Sequence, residues 1–116
     1  MQPDSADTAY LRDMLKFARE LVTITTERPD APELQELIIR RATERVTEIL
    51  GEAARRVSDP FRLAHPEIDW RGIIGLRTLL AHEYSRVDYA RVSEVAAEHV
   101  PPLIATLQSL LQPEPE

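Results

Sequence analysis

The sequence predicts an all-α fold, an up-and-down bundle of four helices with a kink in the last. Three observations point there. Apolar residues recur at i, i+3, i+4 and i+7 along most of the chain, and nothing suggests the alternation of a half-buried strand. Proline-containing breaks divide the pattern into successive runs. The 116 residues suffice for one domain burying roughly two-thirds of its unfolded surface, and are too few for two comfortable ones.

The first run carries Leu11, Met14, Leu15, Ala18, Leu21, Val22 and Thr25, with Ser5 or Asp7 expected to cap it. Pro29 and Pro32 stop this helix and start the next, because proline is tolerated in a first turn but not in an interior. The second stripe passes through Leu34, Leu37, Ile38, Ala42, Val46, Ile49, Leu50, Ala53 and Val57. Gly51 within it costs ~1 kcal/mol relative to alanine, and the simplest reason for it is the close approach of a neighbouring helix. Residues 58–69, SDPFRLAHPEID, form a connection with room for one short helical turn.

Asp69 is the expected cap of the third helix, which carries Trp70, Ile73, Ile74, Leu76, Leu79 and Leu80. Being apolar almost all round, that helix is expected to be the most buried and to lie centrally. The fourth stripe runs from Val92 through Val95, Ala96, Val100, Leu103, Ile104 and Leu107 to Leu111. The apolar spacing resumes after Pro101 and Pro102, so a kink is expected there and not a stop. Residues 1–4 and 112–116 read as flexible tails of a domain spanning 5–111.

The formal charge of −6 argues against a protein that coats nucleic acid through bulk charge. From Arg40 to Arg91, however, ten arginines face eight acids, so an anion site is expected in the central half. Without cysteine there is no disulfide framework and no thiolate metal site. No run approaches the ~20 apolar residues of a membrane span, and a cytoplasmic protein with no membrane partner is expected. No cofactor is expected either. His82-Glu83 opens like a zinc-protease HE pair, but Arg86 takes the place of the second histidine. Glu44, Glu48 and Glu52 stack helically without the E-x-x-H partner of a di-iron site, and the three glycines form no phosphate loop.

The most informative segment is residues 73–84, IIGLRTLLAHEY. Arg77 supplies a permanent cation whose planar fork matches phosphate oxygens, His82 can give and take a proton near neutrality, and Tyr84 offers a hydroxyl. At 100° per residue Arg77 and Tyr84 lie about 20° apart, whereas His82 lies roughly 140° from Arg77. Convergence requires fraying or tightening near Ala81 to Tyr84, or a second subunit that completes the site.

The run HPEIDWRGIIGLRTLLAHEY, with RATERVTEILGEAARRVS before it and VPPLIATLQSLL after it, resembles the HepT-like branch of the HEPN ribonuclease families. The resemblance covers about Tyr10 to Leu111, and its signature, Arg, four residues, His, any residue, Tyr, is filled by Arg77, His82 and Tyr84. It implies a four-helix bundle that forms a homodimer, with the two motifs meeting at a cleft beside the interface. It also implies metal-independent cleavage of RNA, with Arg77 and His82 as catalytic residues, by the toxin of a toxin–antitoxin pair. The implied partner is an MntA-like nucleotidyltransferase antitoxin that adenylates Tyr84. Many members carry Asn directly after the Arg. Here Thr78 stands in that place, four residues before His82 and so on its face of the helix, with a hydroxyl that has fewer hydrogen-bonding groups than an amide.

Chemistry makes the same proposal intelligible. Cleaving RNA without metal requires a base for the 2′-hydroxyl, an acid for the leaving 5′-oxygen and a cation for the phosphorane. One histidine does not readily fill both proton roles, and His65 and His99 are poorly placed for the second. A two-fold dimer supplies His82 and Arg77 twice. The bland alternatives are a surface ion pair for Arg77, a helix C-cap for His82 and a half-buried core tyrosine for Tyr84. Trp70 is expected to anchor the core. Arg40, Arg41, Arg45, Arg55 and Arg56, interleaved with Glu44, Glu48 and Glu52, are expected to form a solvated face. The competing function is a non-catalytic dimeric module that holds nucleotide, RNA or a partner in the same cleft.

Overall fold

A computed structural model describes residues 3–26, 33–82 and 89–111; within its helices, side chains of residues 25–26, 33–36, 40, 77–82 and 89–97 fall outside the description. The described chain is helical, with four long elements and one short: α1 (Ser5–Thr26), α2 (Glu33–Arg56), α3 (Asp59–Ala64), α4 (Trp70–His82) and α5 (Tyr89–Leu110). Helix α1 packs on α2 and α5, and α4 packs on α2. Helix α5 continues through Pro101 and Pro102, as the resumed spacing requires.

The start of α1 differs from expectation. Asp4, not Ser5 or Asp7, is the cap: its Oδ1 accepts the Asp7 N–H at 2.7 Å and its carbonyl accepts the Thr8 N–H at 2.8 Å. Asp7 lies one turn before Leu11, on the buried line that continues through Met14, Ala18 and Leu21, and is itself only 3% exposed. Its carboxylate accepts the Ser58 N–H at 2.8 Å and the Ser58 hydroxyl at 2.6 Å. Ser58 in turn caps α3, its Oγ accepting from the Phe61 N–H. The first turn of α1 is thereby tied to the corner that follows α2.

Beneath that corner Phe61 is fully buried and meets Trp70 edge to face, with centroids 6.5 Å apart. Trp70 anchors the core as expected, and its Nε1 donates to the His65 carbonyl at 3.0 Å. Asp69 caps α4, accepting the Gly72 N–H at 3.0 Å. The rest of the core comes from Leu11, Met14 and Leu21 of α1, Leu50 and Ala54 of α2, and Val100, Leu103 and Leu107 of α5.

Among the described side chains of α4 Trp70 is buried, and Ile73, Ile74 and Leu76 are partly buried, Ile73 and Ile74 packing against the core; the remaining apolar positions of the helix, Leu79 and Leu80, lie outside the described side chains. One burial expectation is overturned: Leu37 and Ile38 are exposed, at 44% and 59%. Ile38 stands seven residues before Arg45, on the outer line of α2, and cannot join the Val46 face.

The outer face of α2 is a ladder of ion pairs, Arg41–Glu44, Arg45–Glu48 and Glu52 with both Arg55 and Arg56. Hydrogen bonds from Arg55 and then Arg56 hold the Glu52 carboxyl down from its ordinary 4.5 to about 2. Its folded value lies below its unfolded one, so the pairing contributes fully above pH 4.5 and is lost as pH falls towards 2. A carboxyl-detected NMR titration of Glu52 should give a midpoint near 2, returning towards 4.5 in Arg55→Ala/Arg56→Ala. The site is exposed and screened, so the accompanying change in stability should be small.

The Asp7–Ser58 link should count for more. Asp7→Ala leaves two donors of Ser58 without their acceptor and should cost about 1–3 kcal/mol in urea unfolding. The same change at exposed Asp13 should stay within about 0.5 kcal/mol.

Candidate active site

The placement of the motif starts at Gly51. A Cβ there would lie 3.2 Å from the Ile73 carbonyl oxygen and 3.6 Å from that of Ile74, so α4 approaches α2 to a distance that only glycine accommodates without displacement. Phe61 and Trp70 hold the start of α4 beside the corner that follows the C-terminal end of α2. Gly51 lies five residues before that end and Ile73 three residues into α4, so α4 runs back along α2, antiparallel to it.

Arg77, Thr78 and His82 all belong to the C-terminal half of α4, which is α-helical through His82. Tyr84 lies outside the described residues. At 1.5 Å per residue Arg77 begins about 6 Å beyond Ile73 along the axis and His82 lies about 13 Å beyond it. The helix retains its ordinary turn over Arg77 to His82, so these two positions keep their separation of roughly 140° around the axis. No tightening before His82 brings them onto one line.

Of the other two histidines, His65 is remote from that end. His65 lies at the opposite end of α4, where its ring stacks on Phe61 with centroids 4.3 Å apart and its Nδ1 lies 2.7 Å from Glu67 Oε1. The Glu67 carboxyl is held below its ordinary range, first by its own backbone N–H and then by the His65 ring. This corner is a structural latch about 18 Å along α4 from His82. His99 is exposed on α5, with the Glu98 carboxylate 4.0 Å away.

Between α4 and α5 lies a cleft of about 540 Å³, floored by Leu50 and walled by Ile68, Ile73, Leu76, Val100 and Leu103. Leu76 immediately precedes Arg77, so the cleft reaches the beginning of the motif. Among the described residues no cluster of three or more His, Asp or Glu side chains is arranged to hold a metal ion, and no helix is long and apolar enough to cross a membrane.

The sequence model of the family described as ribonuclease HepT-like matches residues 11–110. The chain belongs to the ribonuclease HepT-like family. A protein of Methanocaldococcus jannaschii, named as an inferred RNase, is 33% identical over 93 residues, covering 80% of this chain and 85% of that protein. A protein of Caldanaerobacter subterraneus, likewise named as an inferred RNase, is 35% identical over 77 residues, covering 66% of this chain and 69% of its own. A protein of Thermococcus cleftensis, named as a probable ribonuclease HepT, is 35% identical over 69 residues, covering 60% of this chain and 63% of its own. No solved structure matches.

Within this HepT-like chain the cleft contains a feature that sequence reasoning missed. Gly75 lies inside α4 and lines the cleft, yet a Cβ built on it meets nothing within 4 Å. Unlike Gly51, it is not required by any contact within the described chain, and its backbone freedom makes the helix less stable. The sequence signal was present, a helix-interior glycine beside the motif, but nothing in sequence separates a glycine under a neighbour from one facing open space. Gly75→Ala should raise unfolding stability by about 0.5–1 kcal/mol in urea titration, whereas Gly51→Ala should gain less or be destabilising because the Ile73 carbonyl must move.

The cap is a second structural support of the motif helix. Asp69→Ala should lower stability by about 0.5–2 kcal/mol, with the loss of α4 amide protection greatest in its first turn when followed by hydrogen exchange.

Proposed function

We propose that this protein is a metal-independent endoribonuclease, the toxin of a toxin–antitoxin pair, acting through Arg77 and His82 at a cleft between two copies of the chain. One observation carries the reading: the chain matches the ribonuclease HepT-like family over residues 11–110, a span that includes Arg77 and His82 on the C-terminal half of α4. The names of the relatives, RNase and ribonuclease HepT, support the same reaction class.

In the proposed reaction one His82 takes the proton of the 2′-hydroxyl, whose oxygen attacks the adjacent phosphorus. The bond to the 5′-oxygen breaks as a second imidazolium returns a proton to it, leaving a cyclic phosphate and a free 5′-hydroxyl. Arg77 offsets the charge gathering on the phosphorane, and Thr78 helps to orient the imidazole. Two His82 side chains are available only if two subunits share the site. A regular α4 that keeps Arg77 and His82 on separate lines supports such sharing, as does the half-exposed apolar surface of Ile73, Ile74 and Leu76.

Regulation follows from the same charges. Adenylation of Tyr84 by an MntA-like nucleotidyltransferase would add negative charge and a bulky base near Arg77, repelling RNA and filling its phosphate subsite. The second reading, a dimeric module that binds RNA or nucleotide without cutting, draws on Thr78 standing where an amide is common.

His82→Ala should reduce RNA cleavage by about 10²–10⁴-fold while RNA affinity, measured by fluorescence anisotropy, changes little. If wild type and His82→Ala bind RNA alike and neither cleaves it, the binding module is the correct reading. Purified heterodimers of wild-type and His82→Ala subunits should be nearly inactive, and full activity per intact site would exclude the shared mechanism. Incubation with the cognate nucleotidyltransferase and ATP should add adenylate mass to the tryptic peptide containing Tyr84, and Tyr84→Phe should abolish the addition.

A further inference from the structure

Thr47 has a buried hydroxyl that nothing among the described residues uses. The residue is 1% exposed, and its Oγ1 has essentially no solvent contact and no hydrogen-bond partner. Leaving such a group unpaired costs folding free energy, so buried hydroxyls are almost always satisfied. A helical threonine normally has an easy solution, which is to turn its hydroxyl onto the carbonyl four residues back. Thr23 does so onto Arg19, Thr43 onto Ile39 and Thr106 onto Pro102, at 2.9–3.1 Å. Thr47 does not.

Its position gives a reason. Thr47 is one turn before Gly51 on the same side of α2, and Gly51 is where α2 meets Ile73 and Ile74. Because α4 runs antiparallel to α2, one turn towards the start of α2 corresponds to one turn towards the end of α4. The turn of α4 level with Thr47 is therefore Arg77–Thr78, the beginning of the motif. A threonine hydroxyl can both donate and accept, and being neutral it adds no charge that would compete for phosphate.

We propose that Thr47 is a positioning residue for RNA cleavage, its buried hydroxyl being the hydrogen-bond group that α2 supplies to the Arg77–Thr78 turn of α4. The assignment rests on the ribonuclease reading above and deepens it. A valine at 47 would have nearly the same shape and would relieve the unpaired hydroxyl, while the motif turn would lose the hydrogen-bonding group that α2 holds available to it. The role is distinct from that of Gly51, which sets the distance between the helices; Thr47 offers the turn a hydrogen bond once that distance is set.

The test uses the full chain with Thr47→Val and Thr47→Ser. Thr47→Val should melt at or above the wild-type temperature and bind an uncleavable RNA, 2′-deoxy at the scissile position, within about twofold of wild type. Its kcat should fall about 10–100-fold, and Thr47→Ser should recover most of it. Wild-type kcat in Thr47→Val, or a Thr47→Ser as impaired as the valine variant, would overturn the proposal, since either outcome makes the hydroxyl irrelevant. Combined with Thr78→Val, the Thr47→Val loss should be much smaller than in the wild-type background; strictly multiplicative losses would remove the Arg77–Thr78 turn as its partner.

Amide spectra provide an arm independent of activity. On Thr47→Val the 77–82 resonances should shift more than those of Ile73 and Ile74, and unmoved 77–82 resonances would also overturn the assignment. A wild-type protein that cuts no RNA while its 77–82 amides respond to Thr47→Val would refute the ribonuclease reading and leave the α2–α4 contact standing.

Discussion

Helix α4 depends on its approach to α2 at Gly51, and the placement of the candidate active site depends on α4. An ordinary side chain at this position would press on the Ile73 and Ile74 carbonyls, and the helices would have to separate by at least a few tenths of an ångström. That separation would be transmitted along α4, because a helix of thirteen residues behaves as a rod over its length of about 20 Å. At the other end of the rod the Asp69 cap, the Trp70 indole and the His65 carbonyl fix where α4 begins. The motif half then projects from two anchors, a corner and a contact, with the half-exposed apolar positions 73, 74 and 76 directly before it.

This arrangement leaves the described apolar side chains of α4 beyond Trp70 only partly buried. An element placed at the flank of a single chain normally becomes amphipathic, since apolar surface facing water contributes nothing to folding. Retaining Ile73, Ile74 and Leu76 there, together with a glycine that faces open space, makes sense if the apolar surface serves the site and not only the core. Stability supports the same division of labour. The core proper is provided by α1, α2 and α5, with Phe61 and Trp70 closing it at the α3–α4 corner. That corner is in turn tied to the start of α1 through Asp7 and Ser58.

Much of this was legible in the sequence. The i, i+3, i+4 spacing located the four long helices, Pro29 and Pro32 located the end of one and the start of the next, and Gly51 announced a close helix contact. What the sequence could not separate was apolar surface buried by the chain itself from apolar surface left bare, because periodicity reports the face and not its neighbour. Leu37 and Ile38 were misjudged for that reason. The caps were misjudged by local rules: Ser5 and Asp7 are both acceptable caps, and only the distant Ser58 shows why Asp7 is needed elsewhere. The carboxylate on the Leu11–Met14–Ala18 line was the available signal, since an acid on a buried stripe requires a partner. Of the candidate site, the helical placement of Arg77, Thr78 and His82 was legible in the sequence. The sequence could not identify Thr47, whose significance lies in a rotamer and in the identity of the helix opposite.

The register of α4 also constrains how any two-subunit site can be assembled. An α-helix unbroken through His82 keeps Arg77 and His82 on lines roughly 140° apart, so one helix cannot present both to a single small group without long side-chain excursions. A partner helix related by a two-fold axis presents the same two lines in reverse, so that the Arg77 line of one copy can face the His82 line of the other. The separation that would weaken a monomeric site would thus let two copies, in the proposed dimer, contribute complementary groups. The sequence spacing of five between the two residues, which is awkward for a single helix, is natural for a pair.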